Sequence, residues 1–284
     1  MMDLKNRKIS GELLVLLGAL FWSAAAPLVK FMSLDSVLIT GVRGLITAAA
    51  LLPFARLSKL RWNRWLVLYI ICYSGLSISI ICAFKMTSAA IATGMQYTAV
   101  VWLFLASLLQ RKRPDRRTVF SVLLILAGIV LFMSMGFDGS GMRGILVAFA
   151  EGIFFAGMTV SSKYAAPDNP VGQTAVSSLI CGVFVFCVMR PEVQTLRTCP
   201  AVDWVLLVTL GIVAGVGYLT YNMGTARIAS QKALIISLSE MILSPLWTAV
   251  FLKEAPGARA VLGVLFILTG MVLYIMKKGG KAAS

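Results

Sequence analysis

The chain of 284 residues contains no histidine, and only 13% of its residues are charged. Without histidine, the usual general base near neutral pH, the commonest metal ligand and a Ser-His-Asp triad are all missing. The five cysteines form no CxxC pair, and no phosphate-binding G-x-x-x-x-G-K-[ST] motif occurs. These absences argue against an enzyme, a bound metal or other cofactor, and a machine driven by nucleotide hydrolysis.

Hydrophobic residues dominate the chain and make up 59% of it. A soluble domain of this length cannot bury so much apolar surface. Runs of about 20 apolar residues match a bilayer core about 30 Å thick, and helices satisfy their own backbone hydrogen bonds there. We therefore predict an all-α polytopic membrane protein whose first apolar segment is retained. The ten predicted transmembrane helices lie at about 11–30, 35–55, 65–84, 87–109, 117–136, 143–162, 169–189, 203–223, 230–252 and 258–276.

Lysine and arginine residues predict the orientation, because cytoplasmic loops retain positive charge. With the N-terminus inside, eighteen of these residues fall on the inner side, including the run Arg111, Lys112 and Arg113, and seven fall on the outer side. We therefore expect both termini in the cytoplasm, with the chain in a bacterial-type inner (plasma) membrane. Basic loops that face anionic lipid account for the net charge of +15 without a nucleic-acid partner.

Two segments of the chain are nearly the same, VLLILAGIVLF at 122–132 and VLFILTGMVLY at 264–274. The offset of 142 residues that aligns them also aligns Gly128 with Gly270, and an offset of 133 aligns Gly11 with Gly144. We therefore predict two five-helix repeats, residues 1–140 and 141–284. Because five is odd, the second repeat is inverted, which is typical of secondary transporters that work by alternating access. A channel or an inert scaffold is the alternative.

Four longer segments carry a family resemblance: GALFWSAAAPLVK (18–30), RGLITAAALLPF (43–54), GVGYLTYNMGTARIASQKA (215–233) and FLKEAPGARAVLGVLFILTGMVL (251–273). They resemble the ten-helix, EamA-type branch of the drug/metabolite transporter superfamily, in the right order along nearly the whole chain. The resemblance implies a central cavity between helices 1–4 and 6–9, and it suggests an exporter of unspecified cargo. The chain departs from the family at the end of the fourth predicted helix, where it has LLQRKRP and the family often has an acidic residue. The second half of the chain keeps the acidic residue, as Glu254 in FLKEAP.

Three charged residues are predicted at membrane depth, away from the helix ends, where a charge costs at least about 2.5 kcal/mol. They are Arg43, Glu151 and Glu240. Both carboxylates are predicted near mid-membrane with aromatic residues at helical spacing, which suits a cation because aromatic faces attract ammonium groups. The predicted substrate-binding residues are Glu151, Glu240, Trp22, Tyr97, Trp102, Phe155, Tyr218, Tyr221, Ser237 and Ser244. Helix packing and interhelical hydrogen bonds are the alternative roles for these residues.

These features predict a gradient-driven carrier for a small amine-bearing or zwitterionic metabolite, such as an amino acid or an organic amine. Glu240 and Glu151 are also the predicted proton-coupling residues, because two close carboxylates in a poorly solvated site resist joint ionisation. For Arg43 we expect a structural role, bonding neighbouring carbonyls or reaching the interface, and the alternative is a substrate carboxylate. The same features also fit a quaternary-amine importer, a multidrug exporter, an uncoupled facilitator or a non-transporting scaffold.

Overall fold

The computed structural model describes residues 9–109, 116–135, 141–228, 230–253 and 256–278. Several features noted in the sequence lie outside them: Lys5, Arg7, Lys8, Arg111, Lys112, Arg113, Pro114, Glu254 and Lys281. The described chain forms thirteen α-helices: α1 (Gly11–Ser23), α2 (Ala25–Phe31), α3 (Ser36–Leu51), α4 (Arg64–Met86), α5 (Ala89–Gln96), α6 (Ala99–Leu109), α7 (Arg116–Met135), α8 (Met142–Ala165), α9 (Pro170–Phe184), α10 (Thr195–Thr198), α11 (Ala201–Thr225), α12 (Ser230–Leu252) and α13 (Ala258–Lys278). Short 3-10 turns follow α3, and a π-helical turn, Val185–Met189, extends α9.

Helices occupy all ten ranges predicted from the sequence, with ends that differ by a few residues. Two ranges contain a break that was not predicted. Pro27 explains the break between α1 and α2, because proline lacks an N–H and its ring clashes with the carbonyl four residues earlier, at Ser23. Between α5 and α6, the N–H groups of Tyr97 and Thr98 instead donate to carbonyls three residues back, at 3.2 and 3.0 Å. No proline marks this second break.

Six helical segments among the described residues are long and apolar enough to cross a membrane: Gly11–Phe31, Ser36–Phe54, Arg64–Met86, Met142–Ala165, Pro170–Met189 and Ala201–Thr225. Three shorter apolar segments accompany them: Ala89–Leu105, Ile236–Leu252 and Ala258–Leu273. Large apolar side chains such as Ile71 and Val205 are exposed, whereas hydroxyl side chains such as Thr40 and Ser177 are buried. A bundle in lipid has this distribution, because its outer face contacts hydrocarbon. The chain is therefore a multi-pass membrane protein.

Close antiparallel contacts between α1 and α11, and between α4 and α8, define two ends of the bundle. Glycines lie at these contacts: Gly11 against Ile228, Gly18 against Gly217, Gly144 against Met86 and Gly75 against Phe154. We call end A the end at which α1 and α4 begin and α8 and α11 finish. End B is the opposite end, where α8 and α11 begin.

The α7–α13 pair also depends on glycine. A Cβ atom on Gly270 would lie 2.6 Å from the carbonyl oxygen of Ser121, which is backbone that cannot rotate away. We therefore expect Gly270→Ala to push the helices apart and to lower the unfolding temperature of the detergent-purified protein, at a cost of about 1–3 kcal/mol. Gly257→Ala is the matched control, because no atom of the described residues lies within 4 Å of its added Cβ. Equal unfolding temperatures for the two variants would contradict the prediction.

Candidate functional site

A narrow cavity of about 30 Å³ lies among the helices. It has room for about two water molecules, so the conformation is closed to a metabolite. Its walls come from α1 to α5, α11 and α12. The lining residues are Trp22, Ala25, Arg43, Leu76, Ile80, Ile81, Phe84, Gln96, Val213, Ala214, Tyr218 and Glu240.

Glu240 is the acidic residue of this cavity and is only 3% exposed. Its Oε2 accepts hydrogen bonds from Gln96 Nε2 at 3.2 Å and from the Tyr97 hydroxyl at 3.0 Å. The Tyr97 hydroxyl also lies within donating distance of the Ser237 carbonyl, but it has one proton and can donate to one of the two at a time. Neutral donors from the α5–α6 region therefore hold Glu240, and its charge is not cancelled by a described cation.

Arg43 is the basic residue of the same cavity and is 4% exposed. The described residues give it no hydrogen bond and no ion pair, and it lies close enough to Tyr73 and Tyr218 for electrostatic interaction. A structural role would require Arg43 to contact a neighbouring carbonyl or to reach the bundle surface. It does neither in the described part of the chain. A buried guanidinium without a partner is costly, so its donors are available to a ligand in the cavity.

An aromatic cluster centred on Trp22 forms one side of the cavity. The Trp22 ring lies 5.0 Å from the Tyr218 ring, 4.8 Å from the Tyr221 ring and 6.4 Å from the Phe155 ring, centroid to centroid. Trp22 and Tyr218 line the cavity, while Phe155 and Tyr221 pack behind them. Edge and tilted ring contacts of this kind stabilise a cluster beyond its area burial, and they leave ring faces for a cation.

Other residues predicted for the site do not line this cavity. Trp102 packs on Phe149, at 5.5 Å between ring centroids, and Ser237 Oγ donates to the Ala233 carbonyl of its own helix at 2.9 Å. Ser244 is buried, and its hydroxyl has no partner among the described residues. Glu151 is fully buried and lies outside the cavity lining.

Gln96 is a site residue that the sequence reasoning missed. It lines the cavity and donates to Glu240, so it orients the carboxylate. The signal was present, because an amide inside an apolar helix needs a partner in the bundle. Asn222 is another amide inside an apolar helix, and it contacts Tyr69, Ser162 and Thr174, so it ties helices together.

Comparison with known proteins identifies the family. The EamA-like transporter family matches the chain twice, over residues 9–134 and 142–276. The chain belongs to this family. An uncharacterized transporter of Archaeoglobus fulgidus is 24% identical over 268 residues, which cover 93% of this chain and 95% of that protein. The uncharacterized transporter YxxF of Bacillus subtilis is 24% identical over 210 residues, 70% of this chain and 66% of that protein.

A solved structure superposes on this EamA-family chain with a TM-score of 0.68 at 20% identity, covering 94% of this chain and 97% of that one. At this identity the likeness establishes the shared fold alone. The family establishes a membrane transporter, and the names of its relatives specify no cargo. The cargo must therefore be inferred from the cavity.

Proposed function

We propose that this EamA-family protein carries a small zwitterionic or amine-bearing metabolite, such as an amino acid or organic amine, across the inner membrane by alternating access. Export is the direction that the family resemblance suggests. The observation that carries the proposal is that Arg43 and Glu240, of opposite charge, line one cavity without an ion pair among the described residues. Because the two charges do not neutralise each other, a cargo with both signs can pair with each of them.

The lining side chains suit the parts of an amino acid. A carboxylate matches the planar fork of Arg43, which can donate two parallel hydrogen bonds. An ammonium group matches Glu240 together with the ring faces of Trp22 and Tyr218. The aliphatic wall, which includes Ile80, would contact an apolar cargo side chain.

Binding to the purified protein tests the cargo class most directly. The library consists of radiolabelled matched triples: an amino acid, the amine that lacks its carboxylate, and the acid that lacks its amine. We expect saturable binding that is tightest for the amino acid. Tighter binding of amines, quaternary amines or bulky cationic drugs would favour a cation importer or multidrug exporter. If no compound in the library binds, the result would favour a non-transporting scaffold.

Ten membrane spans in two inverted repeats, residues 1–140 and 141–284, are part of this proposal. The two matches to the family support it, one to each half of the chain. Helix contacts support it as well, because they recur at the sequence offsets. Gly128 lies against Gly263 and Ile267, and Gly270 lies against Ser121 and Ile125, with every residue shifted by 142.

The proposed topology predicts the position of each loop. Reporter fusions after residues 33, 113, 138 and 281 should report outside, inside, outside and inside, because positive loops stay in the cytoplasm. The measurement uses a reporter active only outside together with one active only inside. Any two consecutive fusions found on the same side would remove both the topology and the inverted repeat.

Hydrogen bonds join the two halves of the chain at both ends of the bundle. At end B, the Asp203 carboxylate accepts from the N–H and the hydroxyl of Ser33, at 3.2 and 2.5 Å. At end A, Asn63 Nδ2 donates to the Ala165 carbonyl at 2.9 Å, and Asn169 Nδ2 donates to the Arg56 carbonyl at 3.0 Å. Alternating access requires one of these sets to break while the other holds.

Asp203→Ala should therefore favour opening at end B, the proposed outer face. A hydrogen bond to a charged group contributes about 1.5–3 kcal/mol, so the ratio of open to closed protein should rise about 10- to 150-fold. The measurement is labelling of Ala214→Cys, a cavity residue, by a membrane-impermeant maleimide in a background without the native cysteines. Glu192→Ala, an exposed position, is the control. Unchanged labelling in Asp203→Ala would show that this contact does not hold the outer side closed.

A further inference from the structure

A second cavity, of about 520 Å³, lies at the surface of end A. Its walls come from the segment before α4, in the first half of the chain, and from the segment between α8 and α9, in the second half. Its volume is within the range of small-molecule sites, about 300–1,000 Å³. We call it the end-A cavity. Its lining residues are Ser58, Lys59, Arg61, Asn63, Tyr164, Ala165, Ala166, Pro167, Asp168 and Asn169.

Two asparagine residues hold the walls of the end-A cavity in place. Asn63 and Asn169 each cap the helix that follows them, α4 and α9, with the side-chain oxygen. Each also donates from Nδ2 to a carbonyl of the opposite half of the chain, at Ala165 and at Arg56. Because the asparagines are already paired in this way, a ligand meets a preformed cavity and has little chain to order.

Lys59 and Arg61 give the end-A cavity its positive charge. Both are exposed, and in the described part of the chain neither side chain has a hydrogen bond or an ion pair. Asp168 is the acidic residue of the lining. Three further exposed basic residues lie within two positions of the lining in the sequence: Arg56, Arg64 and Lys163. Positive charge therefore exceeds negative charge here, and the available donors favour an anion.

Aromatic side chains place the end-A cavity at the depth of the lipid headgroups. The ring of Tyr164, which lines the cavity, lies 5.0 Å from the ring of Trp65, centroid to centroid. Trp62 is 64% exposed and follows Arg61 directly. Tryptophan and tyrosine concentrate at the boundary between hydrocarbon and water, because each has an apolar body and a polar tip. An anion that belongs to a phospholipid is therefore within reach of this cavity.

We propose that the end-A cavity binds the phosphate of an anionic phospholipid, and that Lys59 and Arg61 contact its oxygens. A phosphate diester supplies the negative charge and the acceptors that a guanidinium fork and an ammonium group match. The Asp168 carboxylate can accept from headgroup hydroxyls, such as those of glycerol. The bound lipid contacts both halves of the chain and so joins them at end A. This site does not depend on the cargo, so it can be tested apart from the proposed function.

Native mass spectrometry of the delipidated protein tests the site with phospholipids of identical acyl chains. Phosphatidylglycerol should bind saturably, and more tightly than phosphatidylethanolamine or phosphatidylcholine, whose headgroups add a positive charge. Lys59→Gln combined with Arg61→Gln should weaken phosphatidylglycerol binding about 30-fold, the usual contribution of two basic residues near anionic lipid.

The matched control removes a different exposed basic pair, at the start of α7. Arg116→Gln combined with Arg117→Gln should bind phosphatidylglycerol as the wild type does. Equal weakening in the two double variants would show general attraction between basic loops and anionic lipid, and it would overturn the site. Tighter binding of either zwitterionic lipid would overturn the preference for an anionic headgroup.

Soluble phosphates separate a lipid ligand from a free anion. Inorganic phosphate and glycerol 3-phosphate offer a charged phosphate without acyl chains, and neither should displace phosphatidylglycerol when present at the same concentration. Displacement by either compound at that concentration would identify a soluble phosphate as the ligand and overturn the lipid assignment.

A second measurement uses the unmodified chain, in case the Lys59 and Arg61 double variant does not fold. An amine-reactive ester acetylates exposed lysines, and mass spectrometry locates the products. Phosphatidylglycerol should slow acetylation of Lys59 and leave Lys253, an exposed lysine outside the cavity lining, unchanged. Equal slowing at both lysines, or no slowing at Lys59, would overturn the proposal.

Discussion

Arg43→Gln is expected to abolish binding and transport of an amino acid while the protein stays folded. The guanidinium is 4% exposed in the cavity wall and has no hydrogen bond or ion pair with a described residue. Its removal therefore leaves no partner unpaired in the bundle, but it deprives the cargo carboxylate of its charge partner. Truncating one member of a buried charge pair costs about 2–5 kcal/mol, which is a loss of about 30-fold or more in affinity.

The matched amine makes the Arg43 prediction specific. Its binding should be retained in Arg43→Gln, because it has no carboxylate to lose, and the unfolding temperature should not fall. Arg197→Gln, an exposed position, is the control. Equal loss of binding for the amino acid and the amine, or a large drop in the amount of folded protein, would support the structural role that the sequence predicts for Arg43.

Glu240→Gln is expected to remove transport of both the amino acid and the amine. The side chain keeps its size and can still accept from Gln96 and Tyr97, whose donors lie 3.2 and 3.0 Å from Oε2. It cannot balance an ammonium group, so we expect at least about a 30-fold loss in transport efficiency. The measurement is initial flux into proteoliposomes, with Glu192→Gln at an exposed position as the control.

The two variants together separate recognition from packing. A zwitterion needs both Arg43 and Glu240, the amine needs Glu240 alone, and the matched acid needs Arg43 alone. Wild-type flux of the amine in Glu240→Gln would show that the carboxylate is only an interhelical hydrogen-bond acceptor. In that case Glu240→Ala and Gln96→Ala, which both remove the hydrogen bond between these two side chains, should each lower the unfolding temperature.

The positions of the helices could be predicted from the sequence because the bilayer restricts the choices. A segment that crosses hydrocarbon must be long, apolar and internally hydrogen-bonded. Each long apolar run in the sequence therefore predicts a transmembrane helix. The break between α1 and α2 could also have been predicted from the sequence, because Pro27 has no N–H to continue the hydrogen bonding of α1. The break at Tyr97–Thr98 was not, because it coincides with contacts from Tyr97 to another helix.

The sequence predicts a depth for a polar residue, but it does not predict the neighbours of that residue. Counting residues from a helix end places Glu151 and Glu240 near mid-membrane. It does not show which way each helix is rotated, and that rotation decides what a side chain meets. Glu240 therefore shares a cavity with Arg43 and receives a hydrogen bond from Gln96, whereas Glu151 is buried and its carboxylate has no hydrogen-bond partner among the described residues.

The sequence by itself determined the class of this protein, a multi-pass helical membrane protein of a transporter family, because composition and apolar periodicity act locally along the chain. The tertiary structure alone decided which charges meet. Helix rotation and distance are set by close packing at small residues, such as Gly18 against Gly217 and Gly152 against Thr98. Those contacts join residues far apart in the chain, so the separation of Arg43 and Glu240 from Glu151 cannot be derived from any one segment.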